Sequence, residues 1–187
     1  MSGASLAIMA WIFLGLELGL KDALSMGHSH VAPSFMFCLV TFIAMFTSHP
    51  RPTWCALGLG LLMDLTFRVP LRDGAGVAII PGPHALAYVL AVQLITALRG
   101  LVIKRNPLTV GFLSFTGALV AQIVLVGILS IRMMWGDAIF ALEAAPSREL
   151  LARLASAAYT GALGCVLSLV LFPLAPWLGL QTQSRRR

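Results

Sequence analysis

Along the chain, apolar residues gather into six runs separated by short clusters of charged residues, prolines and glycines. A helix needs about 20 mostly apolar residues to cross the hydrocarbon, within a range near 17–25, and each run is of that order. The first covers 4–20 and stops at Lys21 and Asp22. The second covers 31–47 and ends at His49-Pro50-Arg51-Pro52; the third covers 54–71. The fourth covers 84–103 and is broken by Lys104, Arg105, Asn106 and Pro107. The fifth covers 108–130 and ends near Arg132; the sixth covers 150–174, with Pro173 and Pro176 at its end. The pattern predicts an all-α integral membrane protein: a six-transmembrane-helix bundle forming one domain over 1–180, with a basic cytoplasmic tail over 181–187. An even number of spans puts both termini on the same side.

Two connections are longer than turns. Residues 72–83 hold Asp73-Gly74-Ala75-Gly76 and Pro81-Gly82-Pro83, which predicts an irregular loop whose apolar middle, 77–80, touches the membrane interface. Residues 133–147 mix Trp135, Ile139, Phe140 and Leu142 with Asp137 and Glu143, which predicts a short interfacial helix. The first run lacks the preceding positive charge and the small-residue cleavage site of a signal peptide.

Composition agrees with the pattern. The chain is 59% hydrophobic and 11% charged, with a mean hydropathy of +0.92, whereas a soluble domain carries about 25% charge. Its polar residues are too few to cover a soluble surface. That argues against a water-soluble enzyme, a disordered chain and a secreted disulfide scaffold. The net charge of +6 reads as a topology signal facing anionic lipid rather than as a nucleic-acid footprint. One side collects Arg51, Arg99, Lys104, Arg105 and the tail Arg185, Arg186 and Arg187, with no acidic residue. The other collects Lys21, Arg68, Arg72, Arg132, Arg148 and Arg153 together with Asp22, Asp73, Asp137, Glu143 and Glu149. This bias places both termini in the cytoplasm. Cys38, Cys55 and Cys165 show no CxxC spacing and read as small apolar packing residues.

Two carboxylates lie inside the spans. Glu17 precedes Lys21 by four residues, and Asp64 precedes Arg68 by four. Acid before base at that spacing shares a helix face in the favourable order. Each carboxylate is therefore expected either to be neutralised by its own base, or to join Arg68 and His84 in a polar cleft open to the outside. Gly15 and Gly19 form a GxxxG expected to pack within the bundle. Gln122, mid-span in the fifth run, is expected to make an interhelical hydrogen bond. His28 and His30 sit in a loop with no further ligand nearby, so no metal site is expected. No nucleophile motif, P-loop, GxGxxG or HExxH is present, and neither catalytic residues nor a cofactor are expected.

One stretch carries more than composition. It reads Gly58-Leu-Gly60-Leu-Leu-Met-Asp64-Leu-Thr, then a glycine-containing loop, then His84-Ala-Leu-Ala-Tyr88-Val-Leu. It resembles the rod shape-determining MreD family, with its glycine–hydrophobics–aspartate third helix and its small-polar, Ala-Leu, aromatic opening of the fourth. Pro33 opening span two and Phe172-Pro173-Leu174 closing span six agree. The resemblance covers roughly 31–175, with its more specific part at 57–90. Three features depart from the pattern. Ser34 follows Pro33 where such proteins commonly have an acidic residue, the loop between spans three and four is longer, and the connection before span six is extended.

The resemblance implies a non-catalytic component of the cell-elongation, peptidoglycan-synthesising machinery of the bacterial inner membrane. Its implied partners are an MreC-like single-pass protein and, indirectly, MreB and the wall-synthesis enzymes. Together with the charges read above, it leaves Glu17, Gly60, Asp64, Arg68, His84 and Tyr88 as the structural or partner-binding candidates. The family is also similar in helical plan to the substrate-binding S components of vitamin transporters. The alternative is thus a small-molecule (vitamin-like) binding subunit of a membrane transporter.

Overall fold

Prolines set the starts of four of the helices. The computed structural model describes residues 3–25, 31–48, 50–67, 69–70, 77–102, 106–134 and 146–176. Six helices lie there: α1 (Gly3–Leu20), α2 (Phe35–Phe46), α3 (Arg51–Thr66), α4 (Pro83–Leu98), α5 (Pro107–Met134) and α6 (Pro146–Leu174). Pro52 and Pro83 occupy the first turns of α3 and α4, and Pro107 and Pro146 begin α5 and α6. Proline fits there because its missing N–H is one that the helix start leaves unbonded anyway. Asn106 caps α5 by accepting the Leu108 N–H at 3.0 Å.

All six predicted runs are helical, with shifted ends. α2 is shorter than its run at both ends, α3 stops at Thr66, and α6 begins four residues early. β2 (Val77–Ala78) lies in the expected irregular loop and pairs antiparallel with β1 (Val69–Pro70), which falls at the end of the expected third span, in register Val69↔Ala78 and Pro70↔Val77. Among the described residues the fold is therefore helical with one small two-stranded addition rather than purely α. The expected interfacial helix falls mostly on residues 135–145, outside the described residues, as do the Lys104–Arg105 pair, His28, His30 and the arginine tail.

α1 and the stretches Pro107–Ile131 and Leu151–Leu174 are each long and apolar enough to cross a membrane; α2 and α4 are shorter apolar helices. Large apolar side chains stand on the outside, among them Trp11 (81% exposed) and Trp54 (70%). This is the surface of a protein solvated by lipid rather than by water.

α2 is the hub. It packs against each of the other five helices, and all twelve of its residues are buried. Phe42 and Phe46 stack with each other and with Phe172 of α6 at centroid distances of 4.7, 6.1 and 6.0 Å. The pairs α5–α6, α3–α4 and α4–α5 form the remaining wall. α5 and α6 approach backbone to backbone: a Cβ on Gly161 would lie 2.8 Å from the Phe115 Cβ and 3.0 Å from the Gly111 carbonyl oxygen. α1 packs on α2 through Met9, Ala10, Phe13 and Glu17. Gly15 and Gly19 do not pack within the bundle as expected, because open space surrounds both.

Candidate functional site

A helix start leaves four N–H groups without an intrahelical partner. In lipid no water is available to satisfy them. α2 and α4 meet this need in the same way, with a carboxylate supplied by the preceding helix.

Asp64, in the last turns of α3, serves α4. Its Oδ2 accepts the Gly82 N–H at 2.9 Å and the Ala85 N–H at 3.2 Å; its Oδ1 accepts the His84 N–H at 2.9 Å. The His84 imidazole completes the set, with Nδ1 at 2.7 Å from Oδ1. α4 needs this help because its own cap position is Gly82, which has no side chain and whose φ of +120° suits glycine. Two residues bring the helices close enough. Gly60, one turn before Asp64, lies against the α4 start, where an added Cβ would come within 2.5 Å of the Ala85 Cα. Further along, Gln93 donates to the Thr53 hydroxyl at 3.3 Å.

Glu17, near the end of α1, serves α2. Its Oε2 accepts the Met36 N–H at 3.0 Å and the Ser34 hydroxyl at 3.4 Å. Ser34 is itself the α2 cap, accepting the Phe37 N–H at 3.2 Å, and its own N–H donates to the Thr160 hydroxyl at 3.0 Å. At the opposite end of α2, Arg99 donates through Nη1 to the carbonyls of Ala44 (2.8 Å) and Thr47 (2.5 Å). Read in sequence as a topology charge, Arg99 is half-buried and closes a helix terminus.

Of the two expected i+4 pairings, only that of Glu17 with Lys21 falls on described residues. Lys21 attracts Glu17 electrostatically, but its Nζ rests 3.8 Å from the centroid of the Phe67 ring at the end of α3. Burial lowers the Lys21 pKa, against the opposing pull of Glu17 and Asp22. Arg68 lies outside the described residues, and α4 engages both Asp64 oxygens.

The five candidates among the described residues divide into two groups. Glu17, His84 and Tyr88 line a cavity of about 280 Å³ bounded by α1, α3, α4, α5 and α6 and the segment entering α2. Asp64 stands behind His84, 3% exposed, and Gly60 is sealed in the α3–α4 contact. The rest of the wall is chemically mixed. Phe37 meets Tyr88 edge-on at 5.2 Å, and His84 meets Tyr88 edge-on at 6.3 Å. Gln122 of α5 makes its expected interhelical bond, accepting from Arg153 of α6 at 2.7 Å. Ser156 and Thr160 of α6 complete the lining.

Sequence reasoning did not single out Ser156, Thr160 or the Arg153–Gln122 pairing. Arg153 sits within the sixth apolar run, and a cation there signals a polar partner on a facing helix. Among the described residues no group of three or more His, Cys, Asp and Glu side chains is placed to hold a metal ion.

Comparison with known proteins finds no matching family model, no similar curated protein and no similar solved structure.

Proposed function

We propose that the chain is a non-catalytic membrane scaffold of the MreD kind. Its six helices cross the bacterial inner membrane as an S-component-like bundle with both termini in the cytoplasm. It holds an MreC-like single-pass protein and, through it, serves MreB and the wall-synthesis enzymes.

The observation that carries this reading is the outer face of α1. Gly15 and Gly19 sit one turn apart on an apolar helix, both exposed, with nothing within 4 Å of where a Cβ would stand. A small-residue face of this kind lets a second transmembrane helix approach closely. The residues behind the family resemblance support a structural role. Gly60, Asp64 and His84 join α3 to α4. Glu17 brings to Ser34 the carboxylate that the family pattern carries after the span-two proline.

The test is a mild-detergent pull-down of the tagged chain with mass spectrometry of the recovered proteins. The expected result is a single-pass MreC-like protein, lost when Gly15 and Gly19 are both replaced by leucine and retained in Gly58→Leu. Gly58 is also in open space, but on α3. Equal recovery from both variants, or recovery of a transporter ATPase pair instead, would overturn the scaffold reading.

A further inference from the structure

We propose that the cavity between the helix ends is a binding site for a small, uncharged heteroaromatic compound that both donates and accepts hydrogen bonds. This is independent of the scaffold role, which rests on the opposite, outward face of α1.

The size comes first. Protein interiors hold few voids larger than one water. About 280 Å³ is room for roughly nine waters at ~30 Å³ each. It lies just under the usual range for ligand pockets, which starts near ~300 Å³. That admits one or two fused rings and excludes a nucleotide or a lipid headgroup with its chains.

The chemistry of the wall narrows the class. Phe37, Phe67 and Tyr88 contribute ring surface, which suits a flat apolar body. Two polar groups in the lining are each fixed by a residue outside it. Arginine donates only, so the Gln122 oxygen must be the atom facing Arg153, and the amide N–H₂ of this lining residue is the group available to donate to a ligand. Asp64, an acceptor engaged by three backbone N–H groups, accepts the hydrogen bond of His84 Nδ1–H. In the neutral ring this leaves Nε2 as an acceptor.

A ligand therefore has a donor for His84 and an acceptor for Gln122 on a ring framework. Charges do not select an ion. Lys21 and Glu17 are both in the lining, and each already has a neighbour: the Phe67 ring for the first, the start of α2 for the second. Orientation of the two groups from behind is what a recognition site requires, since their geometry is set before the ligand arrives.

Two probes on the unaltered full chain in detergent test this. Benzimidazole carries one ring N–H donor and one ring nitrogen acceptor; indene has nearly the same shape with neither. Thermal shift and saturation-transfer NMR should show saturable benzimidazole binding with a Kd under about 1 mM, and at least tenfold weaker binding of indene. Gln122→Leu should weaken benzimidazole about tenfold, as loss of one hydrogen bond predicts. Ala121→Phe, which projects a ring into the cavity from α5, should abolish binding while leaving recovery of the single-pass partner unchanged. Absence of saturable benzimidazole binding, or equal binding of the two probes, would overturn the proposal whether or not the variants fold. Undiminished binding in a folded Ala121→Phe would also overturn it.

Discussion

The Asp64 carboxylate grips His84 twice, at its backbone N–H (2.9 Å) and at its imidazole Nδ1 (2.7 Å), both through Oδ1. One oxygen thus fixes the start of α4 and the orientation of the ring that α4 presents to the cavity. The second oxygen closes the turn on either side, at Gly82 and Ala85.

Removing that carboxylate leaves three N–H groups without their acceptor, that of Ala85 buried and those of Gly82 and His84 half-buried. Asp64→Ala is expected to cost about 3 kcal/mol, with the loss concentrated at the α3–α4 contact and insertion into the membrane unaffected. Asp64→Asn, which keeps one carbonyl acceptor, should lose less. Thermal unfolding in detergent gives the magnitude. Hydrogen exchange at the amides of 82–85 gives the location, and unchanged protection there would remove Asp64 as the α4 cap.

Glu17 makes a parallel prediction for α2. Glu17→Gln keeps an acceptor for the Met36 N–H and should cost under about 1 kcal/mol, whereas Glu17→Ala should cost about 2 kcal/mol. Equal stabilities for the two would show that the Met36 contact contributes nothing.

Gly60 and Gly58 form an internal comparison within one helix. A Cβ at position 60 would meet backbone atoms of His84 and Ala85 at 2.5–2.8 Å, while position 58 is open. Backbone cannot swing aside as a side chain does. Gly60→Ala should therefore separate α3 from α4 and lower the unfolding temperature by several degrees, and Gly58→Ala should leave it unchanged or raise it slightly.

Arg99 gives a fourth prediction. Arg99→Ala strands the carbonyls of Ala44 and Thr47 and should cost about 2 kcal/mol, with Arg99→Lys recovering part of it. If the residue acts only as a topology charge, Arg99→Ala will retain full stability and reporter fusions at the termini will detect the change.

The helices were legible because run length in an apolar sequence is itself the physical requirement for crossing lipid, and the breakers between runs are prolines and charges. The partners of the two acids were not. The i, i+4 spacings to Lys21 and Arg68 offered a local solution, whereas the groups that Asp64 satisfies lie 18 to 21 residues away on another helix. A clue was present in Pro81-Gly82-Pro83: α4 opens without Ser, Thr, Asp or Asn at its cap, so the cap has to come from elsewhere. The GxxxG of α1 shows the reverse limit. Spacing identified a small-residue face but not the direction in which it points.

The short length of α2 has a consequence for biogenesis. Twelve residues rise about 18 Å at ~1.5 Å each, against ~30 Å of hydrocarbon. Both polar ends of this segment are therefore answered by protein: Glu17 and Ser34 at one, Arg99 at the other. Glu17 and Ser34 leave the ribosome with or before α2, but Arg99 follows more than fifty residues after Thr47. During synthesis the carbonyls of Ala44 and Thr47 lack their Arg99 partner until the end of α4 emerges. On the six-span reading proposed above, the first four helices then settle in the bilayer as a group rather than singly, with the second completed last.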